Sequence, residues 1–395
     1  MKFSKTIFLL LSVIMILSLF VSTDSNAIPA FARRHKISCT TCHAPIPKLK
    51  PYGDEFAGNG FIMKENEKAR DYISAGDDLL WLNKDFPVGV RFDAYAVYDE
   101  DKPVDKDLQI PWGVKILSGG TLYKNIGYYF YFYFSERGEV AGIEDAYIHF
   151  DNIFGSNLDI MVGQFQTSDP LMKRELRLTF EDYMIYKQKV GSSRTNIAYD
   201  RGLMFVYGIE KTGTDLVAMV VNGNGKEEAG ADKKFDDDPL KNFGFRINQG
   251  IGEIASIGGY FYKGKENVLD VDGVPGTLEN EITYIGPDFN IGIGPIELTF
   301  QYLLRKDTNP LFLLESDEYK SKGTIAEIIY SPQLDKSRFF LTALYNKIDS
   351  DLYKYETATL SGTYLVARNL RLIAEFTRDL QYDLNRFTFG MVSGF

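Results

Sequence analysis

The chain has 395 residues, 45% of them apolar, and is rich in Tyr (25), Phe (29) and Gly (35) but holds only 2 Cys and 3 His. Its formal net charge of −10 comes with no basic stripe, which argues against nucleic acid as a partner. Aromatic residues and Gly in this abundance favour strands and tight turns, and all-β barrels reach such lengths as single units.

In chain order, the first element reads as an export signal. Lys2 and Lys5 precede an apolar run from Ile7 to Val21, and Ser25-Asn26-Ala27 offers small residues for cleavage. The run is short of the ~20 residues that a spanning helix needs. The mature chain is therefore expected to begin at Ile28, outside the cytoplasm.

The only two cysteines fall within Cys39-Thr40-Thr41-Cys42-His43. C-x-x-C-H is the attachment signature of c-type haem: two thiols add to the two vinyl groups of one porphyrin, and the adjoining histidine is held beneath the iron. A thioredoxin-like redox pair would require a βαβ pattern around the motif, and none is present. Cys39 and Cys42 are thus the expected thioether sites and His43 the expected proximal ligand of one covalent haem c. Leu49, Tyr52 and Phe56 recur at helical spacing, and Gly58 and Gly60 end the run, which predicts a short helix with one apolar face. For the distal ligand the sequence offers Met63, twenty positions past His43, with His35 as the alternative and His149 as a more remote third. A haem module over 28–75 is too small for an ordinary core, and a covalent group would help to hold it together. A linker over 76–85 follows.

From Phe86 to Phe395 the sequence breaks into segments of alternating character, the dyad period of outer-membrane strands. Val88, Val90, Phe92, Ala94 and Ala96 share one face of the first, and Phe387, Phe389, Met391 and Phe395 one face of the last. The reading predicts a mainly β fold: about sixteen antiparallel strands in a transmembrane β-barrel, preceded by the small helical segment. Every second connection is short, and the alternate ones are mostly longer and polar, such as 166–200, 223–240, 264–280 and 306–320. Short turns at one end and long loops at the other are the barrel pattern, and an even strand count puts both chain ends on the short-turn, periplasmic side. The run Tyr128–Phe134 fits a strand with an aromatic lipid face. On the next strand Asp145, Tyr147 and His149 share a face predicted to look into the lumen. The loop 166–200 is expected either to fold into the pore or to lie in solvent. The acidic clusters at 99–101 and 236–238 are either solvated loops or surface collectors of divalent cations.

Signal, Pro29–Arg33, the Cys39–His43 motif, Pro47, Leu49, Gly53, Phe56 and Gly60-Phe61 together resemble the monohaem cytochrome–porin fusions of bacterial outer membranes, such as the iron-oxidising outer-membrane cytochromes. The stretch Met161-Val162-Gly163-Gln164-Phe165 is similar to the phosphate-selective porins. This resemblance implies a haem module at or in the barrel from the periplasmic side, passing electrons across the outer membrane; the leading hypothesis takes them from an extracellular reductant such as Fe(II) to a periplasmic cytochrome, and the same wiring could run outward. Two other functions stand beside it: a diffusion porin for anions or small solutes with a structural haem, and a haem enzyme with an open iron position. Porins of this size are often trimers, which makes a homotrimer in the outer-membrane lipid a candidate assembly.

Overall fold

Alternation of the kind read above folds into a sheet whose two faces meet different solvents, and the sheet here closes on itself. The structure, a computed structural model, describes residues 30–63, 72–73, 82–83 and 86–395 except 101, 124, 169–170, 231–232, 237, 253, 272–273 and 316. The export signal and most of the expected linker lie outside the described residues. Sixteen strands form the barrel. The first eight are β1 (Val88–Asp99), β2 (Lys106–Tyr123), β3 (Ile126–Glu136), β4 (Gly142–Phe150), β5 (Leu158–Phe165), β6 (Asp200–Ile209), β7 (Thr214–Val221) and β8 (Asn242–Ile251). The second eight are β9 (Ala255–Val271), β10 (Val274–Ile293), β11 (Ile296–Asp307), β12 (Tyr319–Tyr330), β13 (Phe339–Ser350), β14 (Lys354–Ala367), β15 (Leu370–Asp379) and β16 (Leu384–Gly394). Each pairs antiparallel with its sequence neighbours, and β16 closes on β1 with Phe389 opposite Ala96.

The barrel is apolar outside and polar inside, the reverse of a soluble domain. On β16 Phe387, Phe389 and Met391 point outward and are exposed, while Thr388 is fully buried in the lumen. Thr342, Asn346, Ser361 and Glu375 are likewise buried on inner faces. In an outer membrane the outward rings meet hydrocarbon and the inward polar groups meet water or each other. The aromatic run of β3 divides in the same way. Phe134 is exposed outside, whereas Tyr131 and Tyr133 are buried inside.

One expected loop is strand instead. Much of 264–280 continues β9 and β10, which pair from Ala255–Ile291 out to Val271–Val274. Lys265 pairs with Glu281 (2.5 Å), and Lys263 lies 3.8 Å from the same carboxylate, so cross-strand charge pairs carry a polar hairpin beyond the apolar band. Polarity there signals water around the strands, not an end to pairing.

Among the described residues, three short helices lie ahead of the barrel: α1 (Ala30–His35), α2 (Cys39–Cys42) and α3 (Pro51–Gly58). Ser38 caps α2, Pro51 stands at the start of α3, and Gly60, with φ +68, turns the chain just beyond α3. Phe56 is buried as expected, but Tyr52 is exposed and Leu49 precedes α3 in a bridge to His43. Of the predicted three-residue face, Leu49 and Phe56 line one apolar cavity in the barrel, Leu49 from just ahead of the helix, and Tyr52 faces solvent.

Candidate functional site

The helical segment sits in the short-turn end of the barrel. Lys50 pairs with Asp335 (2.7 Å) in the β12–β13 turn, and Lys48 reaches Glu297 (2.6 Å) and Glu327 (3.7 Å) on the wall. Phe61 stacks between Phe31 and Tyr129 of β3, with ring centroids 4.9 Å apart on each side. A β-carbon on Gly127 would overlap the carbonyl of Gly60, so segment and wall touch backbone to backbone there. Gly127→Val is expected to dislodge the segment at a cost of about 1–3 kcal/mol, the range for overpacking. Trypsin cleavage between residues 36 and 50 should then be faster than in the wild type; an unchanged rate would contradict this docking.

Glu327 joins three parts of the molecule, since its second oxygen accepts from Tyr183 (2.8 Å). Burial disfavours the Lys48 charge, but Glu327 and Glu297 outweigh this and raise its pKa above the ordinary lysine value. The attraction is therefore fully present below the usual lysine range and is lost as pH rises through the raised value. Lys48→Met should cost about 1–3 kcal/mol by leaving two carboxylates with a lost partner, read as a lower unfolding midpoint near neutral pH. That difference should shrink only as pH rises through the raised Lys48 value.

The loop 166–199 folds into the lumen. Its short helix α4 (Met184–Lys187) and the residues around it lie against the inner wall. Tyr183, Ile185, Tyr186 and Ile197 enter one apolar cluster with Met204, Tyr260 and Tyr284. Polar bonds fasten both flanks. Glu175 accepts from Tyr131 and Tyr133 (3.1 Å each) and lies 3.4 Å from Lys115. On the far side Glu375 of β15 accepts the backbone amides of Phe180 and Glu181 (2.7 and 2.9 Å), and Glu181 pairs with Arg386. The sequence left the position of this loop open; these wall partners draw it inward.

Between the helical segment, the wall and this loop lies a cavity of about 540 Å³, within the size range of small-molecule sites. Cys39, Cys42 and His43 line it, with Phe56 and Phe61 beside them. Both cysteines are free thiols, and burial raises the pKa of each. The Nδ1 of His43 lies 2.6 Å from the carbonyl of Pro47, a bond that fixes the ring and leaves Nε2 available. Burial also lowers the His43 pKa, which favours the neutral imidazole that ligates metals. Gly53 of α3 crosses so close to the carbonyl of Cys42 that a side chain would overlap it. The lining is mainly apolar, and the barrel adds Tyr129, Tyr147, His149, Met161 and Met204. The residues present therefore fit a covalent porphyrin: two accessible thiols, an oriented imidazole and a largely apolar chamber.

Met63 and His35 are not among the lining residues. His35 closes α1 and sets its ring edge-on to Phe56, with centroids 5.6 Å apart. His149 does line the cavity, as alternation along β4 would place it. Of the acidic clusters, Asp236 pairs with Lys241 (2.5 Å), and Asp238 accepts from the amides of Leu240 and Asn267. Glu100 accepts from Asn385. Those carboxylates serve loop structure, and Asp101 and Asp237 lie outside the described residues.

A second cavity of about 410 Å³ opens on the long-loop side of the infolded loop. Arg137, Arg174, Arg177, Lys187, Lys189 and Lys226 line it, with carboxylates between them. Glu175 borders both chambers.

A closed sixteen-stranded antiparallel barrel with an outward apolar band and an infolded loop is porin-like in class, and places the protein in the outer membrane. No protein-family model and no curated protein matches the sequence. Solved structures do. An anion-selective porin from Comamonas acidovorans is similar at TM-score 0.57 and 11% identity, covering 79% of this chain and 99% of that one. The outer membrane channel DcaP of Acinetobacter baumannii is similar at TM-score 0.55 and 12% identity, covering 79% and 97%. OmpT of Vibrio cholerae, in a trimer form, is similar at TM-score 0.54 and 10% identity, covering 78% and 98%. At such identities the likeness is one of fold.

Proposed function

We propose that this porin-like protein is an outer-membrane electron-transfer protein carrying one covalent haem c. The observation that carries the reading is the chamber inside the barrel mouth, rimmed by Cys39, Cys42 and His43. When bound there, haem supplies a one-electron couple. The chain's own residues do the rest. Cys39 and Cys42 tether the group, His43 ligates through Nε2, and the infolded loop bounds the chamber on the side away from the periplasm. The helical segment sits at the periplasmic mouth, within reach of a soluble cytochrome. The opposite cavity opens toward the cell exterior, where a reductant such as Fe(II) would arrive. Assembly as a homotrimer belongs to the same proposal, since one similar structure is described as a trimer form.

The test is an anaerobic visible spectrum of the haem-matured protein before and after Fe(II). Prompt appearance of reduced c-type bands is expected. A haem that responds to dithionite but ignores Fe(II) would reject iron as donor, and absence of haem would reject the reading.

A second reading, diffusion of anions or small solutes, is favoured by the six cationic side chains in the long-loop cavity. It is also favoured by the likeness to an anion-selective porin. Single-channel conductance separates the two: a solute pore conducts steadily with anion preference, and a plugged conduit does not.

A further inference from the structure

We propose that His149, on the barrel wall, is the distal axial ligand of the haem, so that the iron joins the helical segment to the barrel. The inference rests on the haem reading above. The chain has three histidines, and two of them, His43 and His149, line the same chamber from opposite structural parts. His149 is 2% exposed, yet neither ring nitrogen makes a hydrogen bond of normal geometry, although the Gly58 backbone faces the ring. Burying an imidazole without partners is costly, so such a group calls for a specific explanation. A metal on one nitrogen supplies it.

The surroundings suit that role. A His149 nitrogen and carboxylate oxygens of Asp151 and Asp159 all lie within 4.8 Å of one another. Metal-bound histidines ordinarily direct their second nitrogen to a carboxylate, which orients the ring and strengthens it as a ligand. The edge of the ring faces Gly60, where a β-carbon would come within 2.9 Å of Cδ2. The glycine thus lets the helical segment close onto the histidine. Met161 and Met204 also line the chamber; Met161 is opposite His149 in register, and Met204 is opposite Met161. Both methionines have another occupation, since Met204 belongs to the main lumen cluster and Met161 packs against it. Two imidazole ligands would also set a lower potential than a histidine–methionine pair.

The experiment uses full-length, haem-matured protein in detergent, with ferric electron paramagnetic resonance, near-infrared magnetic circular dichroism and intact mass. The wild type is expected to be low-spin with two nitrogen ligands and no thioether band. His149→Ala should keep the covalent haem mass but become high-spin, and added imidazole should restore the low-spin signal. His149→Met should bring in a thioether band, and it decides the matter if the alanine variant fails to assemble. A thioether band or a five-coordinate iron in the wild type would overturn the assignment. So would a low-spin signal unchanged in His149→Ala, the result expected if His149 instead holds a divalent ion with Asp151 and Asp159. A wild type without covalent haem mass overturns the underlying reading and this ligand with it, whereas haem with another ligand overturns only the ligand.

Discussion

A Cys39→Ala, Cys42→Ala double variant is expected to lose all covalently bound haem while its barrel still folds. The thiols contribute little to packing: α2 is only four residues long, none of them is buried, and both cysteines are free. The barrel draws its cohesion elsewhere, from sixteen strand pairings that leave no edge. Haem peroxidase staining on a denaturing gel should fall from a clear band to nothing, because both thioether bonds are gone. Heat-modifiable mobility of the unheated sample should remain that of a folded barrel. Each single variant keeps one thioether and should still stain. Persistent staining of the double variant would rule out attachment at this motif. Loss of the folded form would mean that the cysteines support the barrel itself.

The second large effect is expected at Glu175, the carboxylate that borders both cavities. Burial alone would raise its pKa, but Lys115, Arg177 and Arg174 outweigh this and hold it well below the usual carboxylate range. Removing that charge leaves several cations at the constriction without their shared counter-ion, a loss of about 3–5 kcal/mol for breaking a buried pair. Glu175→Gln is therefore expected to loosen the 166–199 loop, lower the unfolding temperature and raise single-channel conductance several-fold. The sign of the pH effect follows from the lowered pKa. The stabilisation is fully present above the ordinary glutamate value and fades only as pH falls through the depressed one. Wild-type conductance should thus stay low at about pH 4, where an ordinary glutamate is half protonated. A wild type that opens near that pH, or a Gln variant indistinguishable from it, would show that Glu175 does not hold the loop.

Much of this architecture is legible in one dimension because a barrel strand must alternate. Lipid outside and polar lumen inside impose a period of two, so Phe387, Phe389 and Met391 against Thr388 announce both the strand and its faces. The C-x-x-C-H spacing is similarly local, and on the haem proposal it is what would let both thiols and the imidazole reach one porphyrin. Local composition misleads where charge pairs rather than apolar alternation carry a strand. The stretch 264–280 looks like a loop by composition, yet Lys265 and Glu281 pair across a hairpin that extends beyond the apolar band. Tyr52 shares α3 and helical spacing with Phe56, yet its ring is exposed while that of Phe56 is buried.

The amino-acid sequence by itself determined the C-x-x-C-H spacing, the strand count and the inward face of β4, because each is written in local pattern. Only the tertiary structure decided that the 166–199 loop turns into the lumen, where Glu175 meets Tyr131 and Tyr133 and Glu375 holds the turn at Phe180. It alone also set His149 facing the chamber of His43, while Met63 and His35 stand outside its lining. The physical reason is barrel closure: it brings side chains from distant strands into one lumen, at separations that no local pattern records.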